Sequence, residues 1–365
     1  MPQISRRHLL LTAFAAASLP AMPGFLRRAE ASPVFAPAVS DWQRYSLRTN
    51  VTLAKAGPAQ VWLPVPAIDS DWQRSVDDSF TGNATEAAIV TDPETGARYL
   101  HARFDGDAQP QIELTSLVET RNRVADWEAG TEPQEDPAVL QAALQGSSLK
   151  PLDGVVLERA QEITKGAATD RDKVAAIYAW IVENCHRNLD TPGCGPGDIE
   201  ATLASAGIGG KCADLNGLFV GLARASGVPA RDIYGVRVAP SEFGYKQLGA
   251  NSPTVTGAQH CRAEVWLTGL GWVAMDPADV LKVMRAETDT WIKDAADPLV
   301  APVDAALFGS WEGNWVGFNT ASDIKLSGGN DSLPFLMYPQ GQIGSQSLDE
   351  LDAEAFRYEM TATAL

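Results

Sequence analysis

Near residue 228 the spacing of apolar residues changes from three-and-four to every second position. This switch restricts the fold more than any other feature of the 365-residue chain. Before it, Val174, Ile177, Tyr178 and Ile181 recur at i, i+3, i+4 and i+7, behind Thr169 and Asp172 in capping-box spacing; this predicts an amphipathic helix. Asp198 caps a short second helix, "IEATLAS", which glycines 207, 209 and 210 stop. Leu215, Leu218, Phe219 and Leu222 then resume helical spacing until Gly227 and Pro229 end the element. After the switch, "RDIYGVRVA", "QHCRAEVWL" and "GWVAMDP" read as strands. Helices followed by an antiparallel sheet define an α+β core.

Around that core the chain divides into five parts. Residues 1–31 read as a twin-arginine export signal: Arg6 and Arg7 precede an uncharged run from Leu9 to Leu26, and "AEA" at 29–31 offers a cleavage site. Pro20, Pro23 and Gly24 interrupt the run, which argues against a membrane anchor. Cleavage after Ala31 discards four arginines and one glutamate and takes the net charge from −17 to −20. The destination is then periplasmic or secreted, with no membrane insertion once the signal is removed. Residues 32–127 alternate in "YSLRTNVTL", "AQVWLPV", "ARYLHARF" and "QIELTSLVET", which predicts a β-sandwich-like domain, with His101 as a structural histidine in one strand. Residues 128–150 are a linker containing a helical "DPAVLQAALQ", 151–285 the α+β core, and 286–365 an extension packing on the core that ends in the strand "FRYEMTATA". The acidic balance argues against nucleic acid or an anionic membrane as a partner.

Chemistry concentrates on "GIGGKCADLNGLF". Four cysteines in 365 residues are not a disulfide scaffold. Cys212 falls at a predicted helix N-terminus, where unpaired amides and the helix dipole favour the thiolate, and its own N–H is placed to donate to an oxyanion. The glycines ahead of it keep bulk away from the sulfur. A thiol nucleophile needs a base, and among four histidines His8 lies in the export signal, His101 in the β domain and His186 at a helix end as a surface cation; His260 remains. A three-residue turn Leu267–Thr268–Gly269 pairs Trp266 with Leu270 and sets His260 opposite Asp276, within reach of a carboxylate. Cys194 has two candidate disulfide partners, Cys185 and Cys261, and Cys261 points away from His260 by strand alternation. A zinc site from Cys185, His186 and Cys194 fits no strong spacing, so neither metal nor cofactor is expected.

Together, "GGKCADLNGLFVGLARASGVPAR", "HCRAEVWL" and "GWVAMDP" resemble the signatures of the transglutaminase-like superfamily, over roughly Arg171 to Val280. The resemblance implies a transglutaminase-like, papain-like core of exported bacterial type, with Cys212 as nucleophile, His260 as base and Asp276 as its orienter. The sequence departs from many relatives two positions after the histidine, where an aromatic is replaced by Arg262. The implied activity is acyl transfer on a protein or peptide through a thioester, with hydrolysis as the first expectation and glutamine crosslinking as the second. A noncatalytic binding module keeping the fold is the reading of another class.

Overall fold

Alternation of apolar and polar residues after Trp42 builds two antiparallel sheets with one core between them. The structure, a computed structural model, describes residues 34–55, 57–129 and 133–365. The export-signal reading and its cleavage site therefore lie outside the described residues. One sheet has the order Arg357–Ala364, Gln43–Thr52, Gln111–Thr120, Gln73–Gly82; the other runs Gln346–Ser347, Gln340–Ile343, Ala59–Val65, Arg98–Phe104, Glu86–Thr91. Val51, Leu63, Leu100, Phe104 and Leu114, drawn from both sheets, pack together as a sandwich does. His101 is structural: its Nε2 lies 3.0 Å from Gln60 Oε1 and its ring stacks on Trp62.

The helical block forms where its signals stand. Asp170–Asn184 begins at a reciprocal capping box between Thr169 and Asp172, and Ile199–Ala204 at an Asp198 cap. Cys212–Ala225 is buried on nearly every side, as a helix with apolar residues and glycines all round must be. It lies against a four-stranded antiparallel sheet ordered Gly271–Met275, Gln259–Leu267, Ala230–Arg237, Trp315–Asn319. Ile177, Ile181, Leu218, Phe219 and Val265 belong to the core it shares with the other helices. Among the described residues no helix is long and apolar enough to cross a membrane.

The expected hairpin register is corrected. The hairpin turn is Thr268–Gly269–Leu270, with Leu267 opposite Gly271 and Trp266 opposite Trp272, so the register has slipped by two residues. Gly269 and Gly271 both take positive φ, +83° and +80°, so the second glycine closes the turn one position later than the expected loop. In this register position 276 faces Arg262 rather than His260. A slip of two preserves the face on which each side chain stands, so Asp276 becomes a diagonal neighbour of His260 rather than losing it. His186 stands at the helix end as expected, one residue past the Cys185 cap of Asp170–Asn184, where it pairs in a two-residue parallel ladder with Gly209. Its Nδ1 donates to the Gly207 carbonyl at 2.9 Å, which pins the glycine loop.

The segment after Ala286 is distributed over the whole molecule. Trp315–Asn319 is a strand of the central sheet, while Gln340–Ile343 and Arg357–Ala364 complete the two sandwich sheets, the last pairing with Gln43–Thr52 from Tyr45↔Ala364 to Thr52↔Arg357.

Candidate active site

Cys212 is the first residue of its helix, and the loop before it is fixed by a buried carboxylate. Asp214 accepts the N–H groups of Lys211 and Gly197, each at 2.9 Å, while Ala213 N–H donates to the Cys194 carbonyl at 2.9 Å. Asp214 also explains two glycines. Any side chain at Gly195, whose φ is +89°, or at Gly210 would occupy the space its carboxylate fills. The space at Gly209 is taken by the His186 ring. The glycines therefore serve the packing of the loop that presents the sulfur, a different use from the open approach expected of them.

The sulfur of Cys212 is buried among three partners. Hydrogen bonds from Cys194 first and Cys261 next, then from His260 with its charge, hold the thiol well below its ordinary value against the opposing effect of burial. The neighbouring thiols are driven the other way: contact with Cys212 and then burial raise Cys194, and burial and then Cys212 raise Cys261. All four cysteines are free thiols, so neither of the pairings considered for Cys194 is formed.

His260 Nε2 lies 2.7 Å from Asp276 Oδ2 and 3.5 Å from Asp279 Oδ2. Burial pulls the imidazole down, but the charges of Asp279 and Asp276 outweigh it and hold the ring above its ordinary value. The two shifts run in opposite directions, the thiol down and the imidazole up, which is the sense that favours charge on both. Asp276 itself ends the Gly271–Met275 strand and caps the Pro277–Ala286 helix, where its Oδ1 accepts Asp279 N–H at 3.2 Å. It is fully buried, and burial followed by the charge of Asp279 raises its pKa.

Four residues that hold this arrangement were not singled out, or not given a role, by the sequence reading. Asn216, one turn after Cys212 on the same helix face, donates Nδ2 to both Asp276 Oδ1 and the Cys261 carbonyl at 2.9 Å, and its Oδ1 accepts Ala278 N–H at 3.1 Å. Its signal is a polar residue at i+4 from the cysteine on an otherwise apolar face. Arg237 donates to both oxygens of Asp279 at 2.6 Å, and that carboxyl, despite its burial, is depressed by the Arg237 charge. Trp315 Nε1 donates to the His260 carbonyl at 2.9 Å. Arg262 is buried away from the cleft. Its guanidinium lies 5.2 Å from the Trp311 ring and 4.8 Å from the Trp315 ring, its Nε is 3.6 Å from Asp276 Oδ2, and burial pushes it down to about 10. The residue that departs from the family pattern thus backs the carboxylate and does not line the acyl site.

A cleft of about 500 Å³ opens over Cys212 and His260, with Asn251, Ser252, Thr254 and Thr256 on its wall. The C-terminal extension supplies Tyr338, Leu351 and Tyr358 to the same cleft, and Tyr338 Oη accepts Cys194 N–H at 2.9 Å.

Comparison with known proteins agrees with this architecture. A family model described as the transglutaminase-like superfamily matches residues 158–277. An uncharacterized protein of Haemophilus influenzae is 33% identical over 326 residues, 85% of this chain and 87% of that protein. The crystal structure of a candidate cysteine protease from Cytophaga hutchinsonii superposes with a TM-score of 0.50 at 18% identity, covering 90% of this chain and all of that one; it shares the fold.

Proposed function

Because the chain belongs to the transglutaminase-like superfamily, we propose that it is a thiol acyl-transfer enzyme with Cys212 as nucleophile, His260 as acid–base group and Asp276 as the residue that orients the ring. One observation carries the reading: a cysteine at a helix N-terminus shares a cleft with an imidazole that lowers its thiol, and the Nε2 of that ring lies 2.7 Å from a buried carboxylate. The thiolate attacks an amide carbonyl, forming the S–C bond, and the oxyanion falls to donors that include the Cys212 amide. His260 gives its proton to the departing nitrogen as the C–N bond breaks, leaving a thioester. Water then adds with His260 accepting its proton, the C–S bond breaks, and a carboxylate and the thiolate are released.

Hydrolysis is favoured over crosslinking by the polar wall of Asn251, Ser252, Thr254 and Thr256, because a thioester is reserved for an amine where apolar residues exclude water. The description of the Cytophaga hutchinsonii protein as a candidate cysteine protease is in keeping with a peptide substrate. The Arg6–Arg7 leader supports action outside the cytoplasm.

The test offers the mature protein a glutamine-containing peptide with and without a primary amine, followed by mass spectrometry. Cleavage or deamidation lost in Cys212→Ala is the expected result. An amine adduct as the main product replaces hydrolysis with crosslinking, and no turnover of any peptide by a folded protein whose thiol resists alkylation leaves the binding-module reading.

A further inference from the structure

The chain carries 46 acidic and 29 basic residues, yet among the described residues no acidic side chain lines the cleft over Cys212, while Arg187, Lys211, Arg237 and Lys282 do. The two inner carboxylates have their partners: Asp279 is held by Arg237 at 2.6 Å, and Asp276 by His260 at 2.7 Å with Arg262 behind it at 3.6 Å. Arg187, Lys211 and Lys282 are left over, and none of them forms an ion pair among the described residues.

The three come from separate elements that the fold brings to one rim. Arg187 stands in the ladder opposite Gly210, Lys211 is the residue before the nucleophile, and Lys282 lies in the helix that Asp276 caps. All three are half-buried. Burial, then the charges of Arg237 and Arg187, push Lys282 down to about 8 despite the neighbouring Asp279. Unpaired cations held close together and partly desolvated oppose folding unless a counter-charge arrives. Asp279, the carboxylate nearest Lys282, is already committed to Arg237, and among the described residues no acidic side chain lines the cleft, which leaves the ligand.

We propose that the cleft selects substrates bearing a carboxylate beside the amide that Cys212 attacks, as an acidic peptide does, with Arg187, Lys211 and Lys282 receiving that carboxylate. The proposal rests on Cys212 being the nucleophile, and its test separates the two. Cys212 is alkylated with neutral iodoacetamide and with anionic iodoacetate, the S–C bond forming as the C–I bond breaks and iodide leaves, and the ratio of the iodoacetate rate to the iodoacetamide rate is compared with that of a neutral cysteine peptide. The expected ratio is at least about tenfold higher in the protein, falls toward the peptide value in 0.5 M salt as roughly 4 Å screening sets in, and falls in Arg187→Gln and, separately, in Lys282→Gln. A ratio equal to that of the peptide and insensitive to salt overturns the proposal while leaving a nucleophilic Cys212 intact. Failure of both reagents to modify Cys212 overturns the nucleophile assignment and the proposal with it, whereas failure of iodoacetate alone overturns only the proposal. With peptides, glutamate flanking the target glutamine lowers KM by about tenfold relative to lysine in the same positions; equal KM values argue against the proposal.

Discussion

A single sulfur sets the pH behaviour. Cys212 is lowered and His260 raised from their ordinary values, so under the proposed mechanism activity is expected to fall in acid as the thiolate is protonated and in base as the imidazolium is deprotonated. Alkylation of Cys212 is therefore expected to remain fast below the ordinary thiol value of about 8.5, while Cys185, pushed up to about 12 by burial, stays inert. Mapping the labelled cysteine across pH checks this, and a midpoint for Cys212 near the ordinary value contradicts it. Asp276→Asn removes one of the charges that raise the ring, so the alkaline limb moves to lower pH and turnover falls by about 10²–10⁴-fold. Arg237 belongs to a different account. It holds the Asp279 carboxyl below its ordinary 3.8, so the ion pair contributes stability that is fully present above that value and lost as pH falls toward the depressed one. Arg237→Met removes the principal partner of a buried carboxylate and costs about 3–5 kcal/mol near neutrality, read by urea denaturation, with the deficit shrinking in acid. Arg237 was not legible in the sequence, and Asn216 left only the weak signal of a polar residue four positions after the cysteine. A lone arginine late in a strand looks like an outward polar residue, and only the fold reveals that Asp279, 42 positions later, faces it.

At the scale of elements, the helix boundaries were legible because their causes are local. Thr169, Asp198 and the glycines before Cys212 act within a few residues, and the helices begin where they stand. The hairpin register was not, since two glycines of positive φ compete to close the turn and local chemistry chooses poorly between them. What survived the slip was parity. His260, Arg262 and Asp276 stay on one face, and Asp276 reaches the ring diagonally as it turns into its helix. The loop ahead of Cys212 is the other element that the sequence disclosed only by outline: its glycines are evident, but not that Asp214 occupies the space they leave. Gly210→Ala is expected to displace that carboxylate from the Lys211 and Gly197 amides, destabilising the protein by about 1–3 kcal/mol and slowing alkylation of Cys212. A thermal shift with unchanged alkylation separates loss of packing from loss of the helix start, and normal values of both refute the role given to Asp214.

The distribution of the C-terminal extension ties the whole molecule to the cleft. Its strands pair with residues 270 or more positions earlier in the sandwich, and such pairings leave no local trace beyond the alternation of "FRYEMTATA". The same extension lays Tyr338, Leu351 and Tyr358 along the cleft, and Trp315 holds the backbone of His260. Stability and site geometry are therefore coupled through the last fifty residues. Deleting 357–365 removes the strand paired along the whole of Tyr45–Thr52, uncovers Leu47 and Val118 in the satellite core that Met360 closes, and takes Tyr358 from the cleft wall. Loss of Met360 alone is worth about 2–5 kcal/mol, so the deletion is expected to lower Tm by many degrees. Met360→Ala with Tyr358 left in place distinguishes the two consequences. It loses stability but keeps its turnover at temperatures where it is folded, whereas Tyr358→Ala keeps most of the stability and changes KM. If both variants altered KM alike, the extension would act on the cleft only by holding the fold together, and its tyrosines would have no part in recognising the substrate.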